Sequence, residues 1–262
     1  MTGLARKSAI VTGSTSGIGL GIAERLAEEG VRLILNGFGD PGEIDSIRRR
    51  ISEESGVEVL YHFADLSLPE DVRRLVRFAE EAFGGVDILV NNAGAQHVAP
   101  FVEFPEERWD YLIALNLSAA FHATKAVLPG MLARGWGRVI NTASAHGLVA
   151  SVRKAAYVAS KHGLIGLTKV AALEVAGTGV TVNAIAPGWV LTPLVEAQIR
   201  SRAAAEGKTF EQAQRELLSE KQPSGQFVTP RQIGELVVFL CGPGGDQIQG
   251  HAIAMDGGWT AQ

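Results

Sequence analysis

Short apolar runs rich in β-branched residues recur along the chain, separated by stretches with apolar residues at three- and four-residue spacing. Apolar runs without polar alternation are typical of strands buried on both faces of a parallel sheet. The pattern predicts seven such strands, at 8–11, 31–35, 57–63, 86–90, 138–142, 180–186 and 251–255. The stretches between them, for example Ile18, Ile22 and Leu26, predict amphipathic helices.

Strands that alternate with helices imply a parallel sheet, because parallel neighbours need a crossover connection. We therefore expect one α/β domain over 1–262, with a doubly wound, Rossmann-type sheet of seven parallel strands and helices on both faces. Residues 105–134 are long enough for two helices. Residues 154–176 predict one long helix rich in small side chains, which permits a subunit interface. The polar segment 189–229, between the sixth and seventh strands, predicts a lid over a site.

Composition narrows the possible functions. The 262 residues are 46% hydrophobic and 20% charged, which is typical of a folded globular domain. A net charge of −4 without a Lys/Arg cluster argues against nucleic acid as a partner. The single cysteine, Cys241, excludes an intrachain disulfide and a cysteine-based metal cluster, so no metal site is expected. With no signal peptide or long apolar stretch evident, we expect a cytoplasmic protein without a membrane partner.

A glycine-rich turn joins the first predicted strand to a helix and contains Gly13, Thr15, Ser16, Gly17, Ile18 and Gly19. Glycines let a backbone approach a pyrophosphate, and a helix N-terminus presents free N–H groups to it. The same kind of turn also serves tight helix packing, so alone it fits either interpretation. Asn92, Ala93 and Gly94 follow the fourth strand at the same carboxyl edge, where open sheets bind ligands.

Ser144, Tyr157 and Lys161 form a candidate catalytic set. Tyr157 and Lys161 are four residues apart on a predicted helix, so both project from one face, and Ser144 follows the fifth strand. An ammonium beside a phenol favours the phenolate, which makes Tyr157 a candidate general acid/base. Ser144 is expected to hold the reacting oxygen, and Asn116 to orient Lys161 or a water.

These motifs together resemble the short-chain dehydrogenase/reductase family over nearly the whole chain. Asp65 after the third strand and Pro187-Gly188 after the sixth belong to the same pattern. The resemblance implies an NAD(P)(H) oxidoreductase with Asp65 and Leu66 at the adenine, 92–94 near the ribose, and Lys161 on the nicotinamide ribose beside Tyr157. It further implies a nicotinamide environment made of Pro187, Trp189, Val190 and Thr192.

The end of the second strand bears on the choice of cofactor. It reads Asn36-Gly37-Phe38-Gly39-Asp40, without the acidic residue expected for the 2′-hydroxyl of NAD. It also lacks an Arg or Lys for the 2′-phosphate of NADP, and Ser16 stands where many NADP-dependent relatives carry a basic residue. Phe38 packs on the adenosine in this interpretation and crowds a phosphate. NAD is the expected cofactor.

Four polar residues lie near the catalytic set in sequence, namely Gln96, His146, Lys154 and Gln198. Each alone is equally an ordinary loop or surface residue. Together they supply one cation, one imidazole and two amides, which is the chemistry that fixes a small carboxylate. Trp189 would close the apolar side of such a pocket.

These residues and their flanking segments are similar to those of a narrower group, the bacterial D-3-hydroxybutyrate dehydrogenases. That resemblance implies a homotetramer that interconverts (R)-3-hydroxybutyrate and acetoacetate with NAD. Two alternatives stay open: a related reductase of 3-oxoacyl thioesters or of another small hydroxy acid, and a nucleotide-sensing protein without turnover. The sequence leaves open the tolerance for longer acids and a metal ion at a subunit junction near Gln262.

Overall fold

The computed structural model describes residues 2–261. Gln262, where the sequence left a subunit-junction metal open, lies outside the described residues. Seven parallel strands form one sheet in the order β3-β2-β1-β4-β5-β6-β7. The strands are β1 (Ser8–Val11), β2 (Arg32–Leu35), β3 (Val59–Tyr61), β4 (Ile88–Asn91), β5 (Gly137–Thr142), β6 (Val180–Pro187) and β7 (Ala252–Met255). The seven-stranded parallel sheet is confirmed.

Helices cover both faces of the sheet, as expected for a doubly wound fold. They are α1 (Gly17–Glu28), α2 (Pro41–Ser55), α3 (Pro69–Phe83), α4 (Glu106–Ile113), α5 (Ala119–Arg134), α6 (Ala155–Glu174), α7 (Pro193–Glu206), α8 (Phe210–Lys221) and α9 (Pro230–Cys241). Strand side chains alternate between the layers: Val11 and Val90 pack with α1 and α9, whereas Ile10 and Leu89 pack with α3 and α5. Strands β1 to β3 are added towards one edge of the sheet, and strands β4 to β7 towards the other edge. This change of order between β1 and β4 opens a crevice at their carboxyl ends.

Two of the seven strands are not buried on both faces, contrary to the sequence-based expectation. β7 is partly exposed along its whole length, and β3 is buried only at Val59. Both strands form edges of the sheet, so each lacks a neighbour on one side. β3 also spans only three residues of the predicted 57–63, because the apolar run continues beyond the ladder into the flanking loops.

A single helical stretch runs through α4 and α5. The two predicted helices are joined without a loop by a π-helical turn, Ala114–Ser118, that carries Asn116. Glu106–Arg134 is long and apolar enough to cross a membrane by length and composition alone. Here one side of it packs into the core through residues such as Ala123, Val127 and Met131, as core helices of globular domains do.

The segment 189–229 lies at the carboxyl edge of the sheet and contains α7 and α8. These helices pack on one another around a small apolar cluster that includes Val195, Ile199 and Ala213, with Trp189 at its border. Val228 pairs with Val190, which ties the end of the segment to its start. Closure of this segment as a lid stays a prediction, and amide exchange with and without cofactor and a substrate analogue would test it.

Candidate active site

The glycine turn after β1 brings three backbone segments into close contact. A Cβ at Gly19 would lie 2.2 Å from the Gly13 carbonyl oxygen and 2.5 Å from Asn92 Nδ2, so this position has no room for a side chain. Asn92 Nδ2 donates to the carbonyls of Thr12 and Gly13 at 3.0 and 3.1 Å. At the N-cap of α1, the Ser16 side chain makes no hydrogen bond to the first-turn amides. The turn therefore presents backbone N–H groups that can donate hydrogen bonds to a phosphate group.

Replacing Gly19 with Ala is expected to weaken cofactor binding about tenfold and to destabilise the fold by about 1–3 kcal/mol, because a backbone carbonyl must move. Gly42→Ala, in the exposed first turn of α2, is the matched control, since its added Cβ meets only the end of the Asp40 side chain at 3.1 Å. Fluorescence titration with NADH and thermal unfolding measure both effects. Equal behaviour of the two variants would contradict the close packing at Gly19.

Phe38 and Phe63 mark the side of the crevice beyond β2 and β3. Both rings are more than half exposed and meet edge to face, with centroids 5.7 Å apart. The Asn36 side chain is buried and donates to the carbonyls of His62 and Ala64, so it is not free for a ligand. The Thr15 hydroxyl donates to the Phe38 carbonyl at 3.0 Å, which links the glycine turn to the end of β2.

Asp65 and Leu66 follow β3 at the same edge. One carboxylate oxygen of Asp65 accepts hydrogen bonds from the Ser67 amide and hydroxyl, so the side chain is already engaged in its own turn. The Leu66 side chain is buried in the core, which leaves its backbone as the part available to a ligand.

The three candidate catalytic side chains line one cavity. Ser144 follows β5, while Tyr157 and Lys161 lie one turn apart on α6. Lys161 is buried, its Nζ donates to the Thr142 carbonyl at 2.6 Å, and it stands 5.6 Å from the centroid of the Tyr157 ring. The predicted convergence of a hydroxyl, a phenol and an ammonium is thus present in the structure.

Burial dominates the proton affinities of this set. It raises the pKa of Tyr157, and a hydrogen bond with the Ser144 hydroxyl acts in the opposite direction. It lowers the pKa of Lys161 to about 8. The expectation that the Lys161 ammonium shifts Tyr157 towards the phenolate stays a prediction, because the net rise in the Tyr157 pKa is set by burial and does not separate out the effect of the ammonium. The ammonium is bound to a backbone carbonyl and makes no hydrogen bond to the phenol, so burial sets the direction.

Asn116 does not line the cavity and makes no hydrogen bond to Lys161. Its Oδ1 accepts from the Ala95 amide, while its Nδ2 donates to the Ala95 carbonyl and to Ser160 Oγ. A Cβ at Gly94 would meet Asn116 Oδ1 at 3.1 Å and Lys161 Nζ at 3.7 Å. Asn116 therefore braces the loop after β4 against α6, close to Lys161.

The cavity measures about 180 Å³ and brings together all five residues singled out for substrate contact. It is lined by Gln96, His146, Lys154, Trp189 and Gln198, together with the catalytic side chains and with Ile18, Asn92, Gly94, Pro187, Val190 and Thr192 of the proposed cofactor set. The remaining proposed cofactor residues, Gly13, Thr15, Ser16, Gly17, Gly19, Phe38, Asp65, Leu66 and Ala93, lie outside this cavity.

The charged residues that line the cavity are all basic. No acidic residue lines it among the described residues, whereas Lys154 and Lys161 both do. Lys154 has no carboxylate within 4 Å in the described chain, its Nζ lies 5.3 Å from the centroid of the Trp189 ring, and burial lowers its pKa. Burial and the charge of Lys154 lower the pKa of His146 to about 4, so this ring is neutral near pH 7. The cavity thus offers cations and neutral donors.

Sequence reasoning missed several cavity residues, of which Trp259 is the most prominent. The Trp259 ring stacks on Trp189 at 5.8 Å and meets His146 edge-on at 5.0 Å. The carboxylate of Asp256 accepts from the Gly258 and Thr260 amides and holds the turn that carries Trp259. The one available signal was its position directly after β7, at the carboxyl edge. The other missed residues are Ala95, Thr142, Ala143 and Val195.

No group of three or more His, Cys, Asp or Glu side chains within residues 2–261 is arranged to hold a metal ion. The Trp189 indole nitrogen and the Thr142 hydroxyl are buried without a hydrogen-bond partner in the described chain, and both residues line the cavity.

Comparison with known proteins places these features in context. The profile of the short chain dehydrogenase family matches residues 7–203. The chain is 58% identical over 257 residues to D-beta-hydroxybutyrate dehydrogenase of Cupriavidus necator, covering 98% of both chains. It is 52% identical to the Rhizobium meliloti enzyme of the same name, covering 98% of this chain and 99% of that one. The crystal structure of L-sorbose reductase from Gluconobacter frateurii, complexed with NADPH and L-sorbose, superposes with a TM-score of 0.95 at 32% identity over 100% of this chain and 99% of the other.

Proposed function

The chain belongs to the short chain dehydrogenase family of oxidoreductases, and on that basis we propose that it interconverts (R)-3-hydroxybutyrate and acetoacetate with NAD. The observation that carries this proposal is Lys154, a cation without an acidic partner in the described chain, at a small cavity that also contains Ser144, Tyr157 and Lys161. A free carboxylate two bonds from the reacting carbon satisfies that charge. Two relatives named D-beta-hydroxybutyrate dehydrogenase, at 58% and 52% identity, support the same substrate.

The substrate carboxylate would lie among Lys154, His146, Gln96 and Gln198. An ammonium and amide N–H groups donate to carboxylate oxygens, and such charge-assisted bonds are short and strong. Trp189 and Trp259 would cover the apolar end of the acid. The cavity volume of about 180 Å³ falls below the range typical of drug-sized ligands, which favours a short acid.

The Lys154→Ala variant is expected to raise KM for 3-hydroxybutyrate about tenfold to a hundredfold, because one charge-assisted hydrogen bond contributes about 1.5–3 kcal/mol. An uncharged methyl ester of the same acid is the matched control, and its KM should barely change. Steady-state kinetics at 340 nm measure both. If the acid and the ester respond equally, Lys154 acts as a structural residue and not as a carboxylate ligand.

The reacting oxygen would lie between Ser144 and Tyr157. In alcohol oxidation Tyr157 takes the hydroxyl proton, and in ketone reduction its neutral phenol returns it; burial, which raises the pKa of Tyr157, favours the phenol form needed for reduction. The Ser144 hydroxyl donates to the same oxygen and holds it in place. Lys161 is cationic at pH 7 and supplies positive charge beside the phenol.

The residues of the crevice fit a dinucleotide. The glycine turn leaves no space for a Cβ, and the N-terminus of α1 has amides without a side-chain cap, so both suit a pyrophosphate. A bound NAD would supply the hydride acceptor for the substrate carbon. Lys161 and Tyr157 would contact the nicotinamide ribose, and Pro187 to Thr192 would enclose the nicotinamide.

Preference for NAD over NADP is supported by the absence of cations where the adenosine ribose would lie. The segments 13–19 and 36–40 contain no Lys or Arg. Their one charged residue, Asp40, accepts from the amides of Gly42 and Glu43 and caps α2. A 2′-phosphate there would meet exposed aromatic side chains and a carboxylate, with no cation from either segment to stabilise it.

The test is NADH or NADPH formation at 340 nm with (R)- and (S)-3-hydroxybutyrate, each offered with NAD and with NADP. We expect turnover only of the R acid with NAD. Turnover of 3-oxoacyl thioesters with NADPH in place of the acid would support the related-reductase alternative. Cofactor binding without turnover of any alcohol would support the nucleotide-sensing alternative.

We further propose that the chain works as one dinucleotide-binding and catalytic domain in a cytoplasmic homotetramer. Exposed apolar side chains on α5 and α6, namely Phe121, Val170 and Leu173, support burial against another subunit. Sedimentation equilibrium would give the assembly mass. A monomer at micromolar concentration would contradict the oligomer.

A further inference from the structure

Ser151 touches the proposed active site without lining it. It lies in the loop before α6, and its Oγ is 2.8 Å from Nε2 of His146. His146 is buried, its backbone N–H donates to Ser144 Oγ at 3.1 Å, and its ring packs edge-on against Tyr157 and Trp259. No hydrogen bond to the other ring nitrogen, Nδ1, is present within residues 2–261. The ring is thus held at Nε2, while Nδ1 has no hydrogen-bond partner among these residues, and His146 lines the cavity.

The protonation of His146 decides what that free nitrogen can do. Because burial and Lys154 lower the pKa of His146 to about 4, the ring is neutral near pH 7 and carries a single N–H. With the proton on Nδ1, the ring donates to a carboxylate oxygen. With the proton on Nε2, Nδ1 presents a lone pair, which repels a carboxylate. The direction of the hydrogen bond between Ser151 Oγ and Nε2 therefore determines whether His146 attracts or repels an acid.

We propose that Ser151 is a positioning residue whose hydroxyl donates to Nε2 of His146 and thereby places the imidazole proton on Nδ1, as a donor to the substrate carboxylate. This inference rests on the proposed carboxylate substrate. The loop that carries Ser151 is held in place independently. Arg153 adopts a left-handed backbone conformation with φ of 67°, and its carbonyl accepts from the Ala99 amide at 3.0 Å. The same loop also leads directly into Lys154, so one segment positions both groups.

The ring tautomer is measurable without turnover, by ¹⁵N NMR of protein labelled at histidine. His162 provides an internal reference, because its Nδ1 lies 3.0 Å from the Val158 carbonyl, which only accepts, and so carries the proton. We expect His146 to show the same Nδ1–H form at pH 7 with acetoacetate present, and to lose that preference in Ser151→Ala. A proton on Nε2 in the wild type would overturn the proposal, whether or not 3-hydroxybutyrate is the substrate.

Kinetics provide the second arm. We expect Ser151→Ala to raise KM for (R)-3-hydroxybutyrate about fivefold to tenfold, with kcat and the NADH dissociation constant within about twofold of wild type. Ser151→Thr, which keeps the hydroxyl, should restore KM. Val152→Ala, in the same loop and 85% exposed, is the control for loop disturbance. In a His146→Ala background, Ser151→Ala should have no further effect on KM. Additive effects of the two substitutions, or no rescue by Thr, would overturn the proposal.

Discussion

Replacing Tyr157 with Phe is expected to lower kcat about a thousandfold while leaving NADH affinity within about twofold of wild type, because positioned general acid/base groups contribute about 10²–10⁴ in rate. Phe keeps the ring and its edge-on contact with His146, whose centroid lies 5.9 Å away, and removes only the hydroxyl. Stopped-flow single turnovers separate the hydride step from product release. Thermal unfolding should show an unchanged fold, which makes the loss chemical.

The pH dependence identifies the group. Oxidation needs the phenolate and reduction needs the phenol, so the oxidation rate should rise with pH and the reduction rate should fall at alkaline pH. Burial raises the pKa of Tyr157, which places its titration on the alkaline side, whereas the pKa of Lys161 is lowered to about 8. In Tyr157→Phe the more alkaline slope should vanish. A kcat within tenfold of wild type, or an unchanged alkaline slope, would mean that another group transfers the proton.

The sheet was predictable from sequence because its central strands are buried on both faces and read as short runs dominated by apolar and β-branched residues. β1 was predicted to the residue, whereas β3 was overestimated, since Val57 and Phe63 extend the apolar run beyond the hydrogen-bonded ladder. The junction of α4 and α5 gave no sign of a π turn. Its sequence, ALNLS, contains no glycine or proline, and the extra residue per turn arises from packing that the local sequence does not encode.

The site was predictable where function follows position in the fold. Side chains that come directly after a parallel strand or at the start of a helix meet at one edge, and for this reason Gln96, His146 and Lys154 line one cavity. Contacts between distant segments were not predictable. Trp259 reaches the cavity through the turn after β7, and Lys161 is bound to the Thr142 carbonyl rather than oriented towards the phenol. Hydrogen-bond partners of this kind depend on tertiary geometry and leave no periodic pattern in the sequence from which they could be predicted.

The buried ammonium of Lys161 is expected to reduce the stability of the protein, so Lys161→Met should be more stable than wild type at pH 7 although nearly inactive. A fall in pKa from 10.5 to about 8 corresponds to a cost of about 3 kcal/mol for keeping the protonated form buried. The variant also loses the hydrogen bond to the Thr142 carbonyl, which contributes about 1 kcal/mol. A net gain of about 2 kcal/mol remains, or about 4–8 °C in Tm for a domain of this size.

The sign of the pH dependence distinguishes this cost from ordinary packing. Between pH 8 and 10.5 the folded protein has released the proton of Lys161 while the unfolded chain retains it, so the unfolding free energy of the wild type should rise with pH across this window. Below pH 8 both states are protonated and the full cost applies. Urea unfolding at several pH values should therefore show the advantage of Lys161→Met shrinking as pH increases, with Lys169→Met, an exposed position on the same helix, unchanged. If the unfolding free energies of wild type and Lys161→Met changed with pH in parallel, burial of the Lys161 ammonium would not destabilise the fold. If the difference in unfolding free energy between the two proteins shrinks as pH rises, the Lys161 ammonium destabilises the fold, and its role lies in the action on substrate and cofactor.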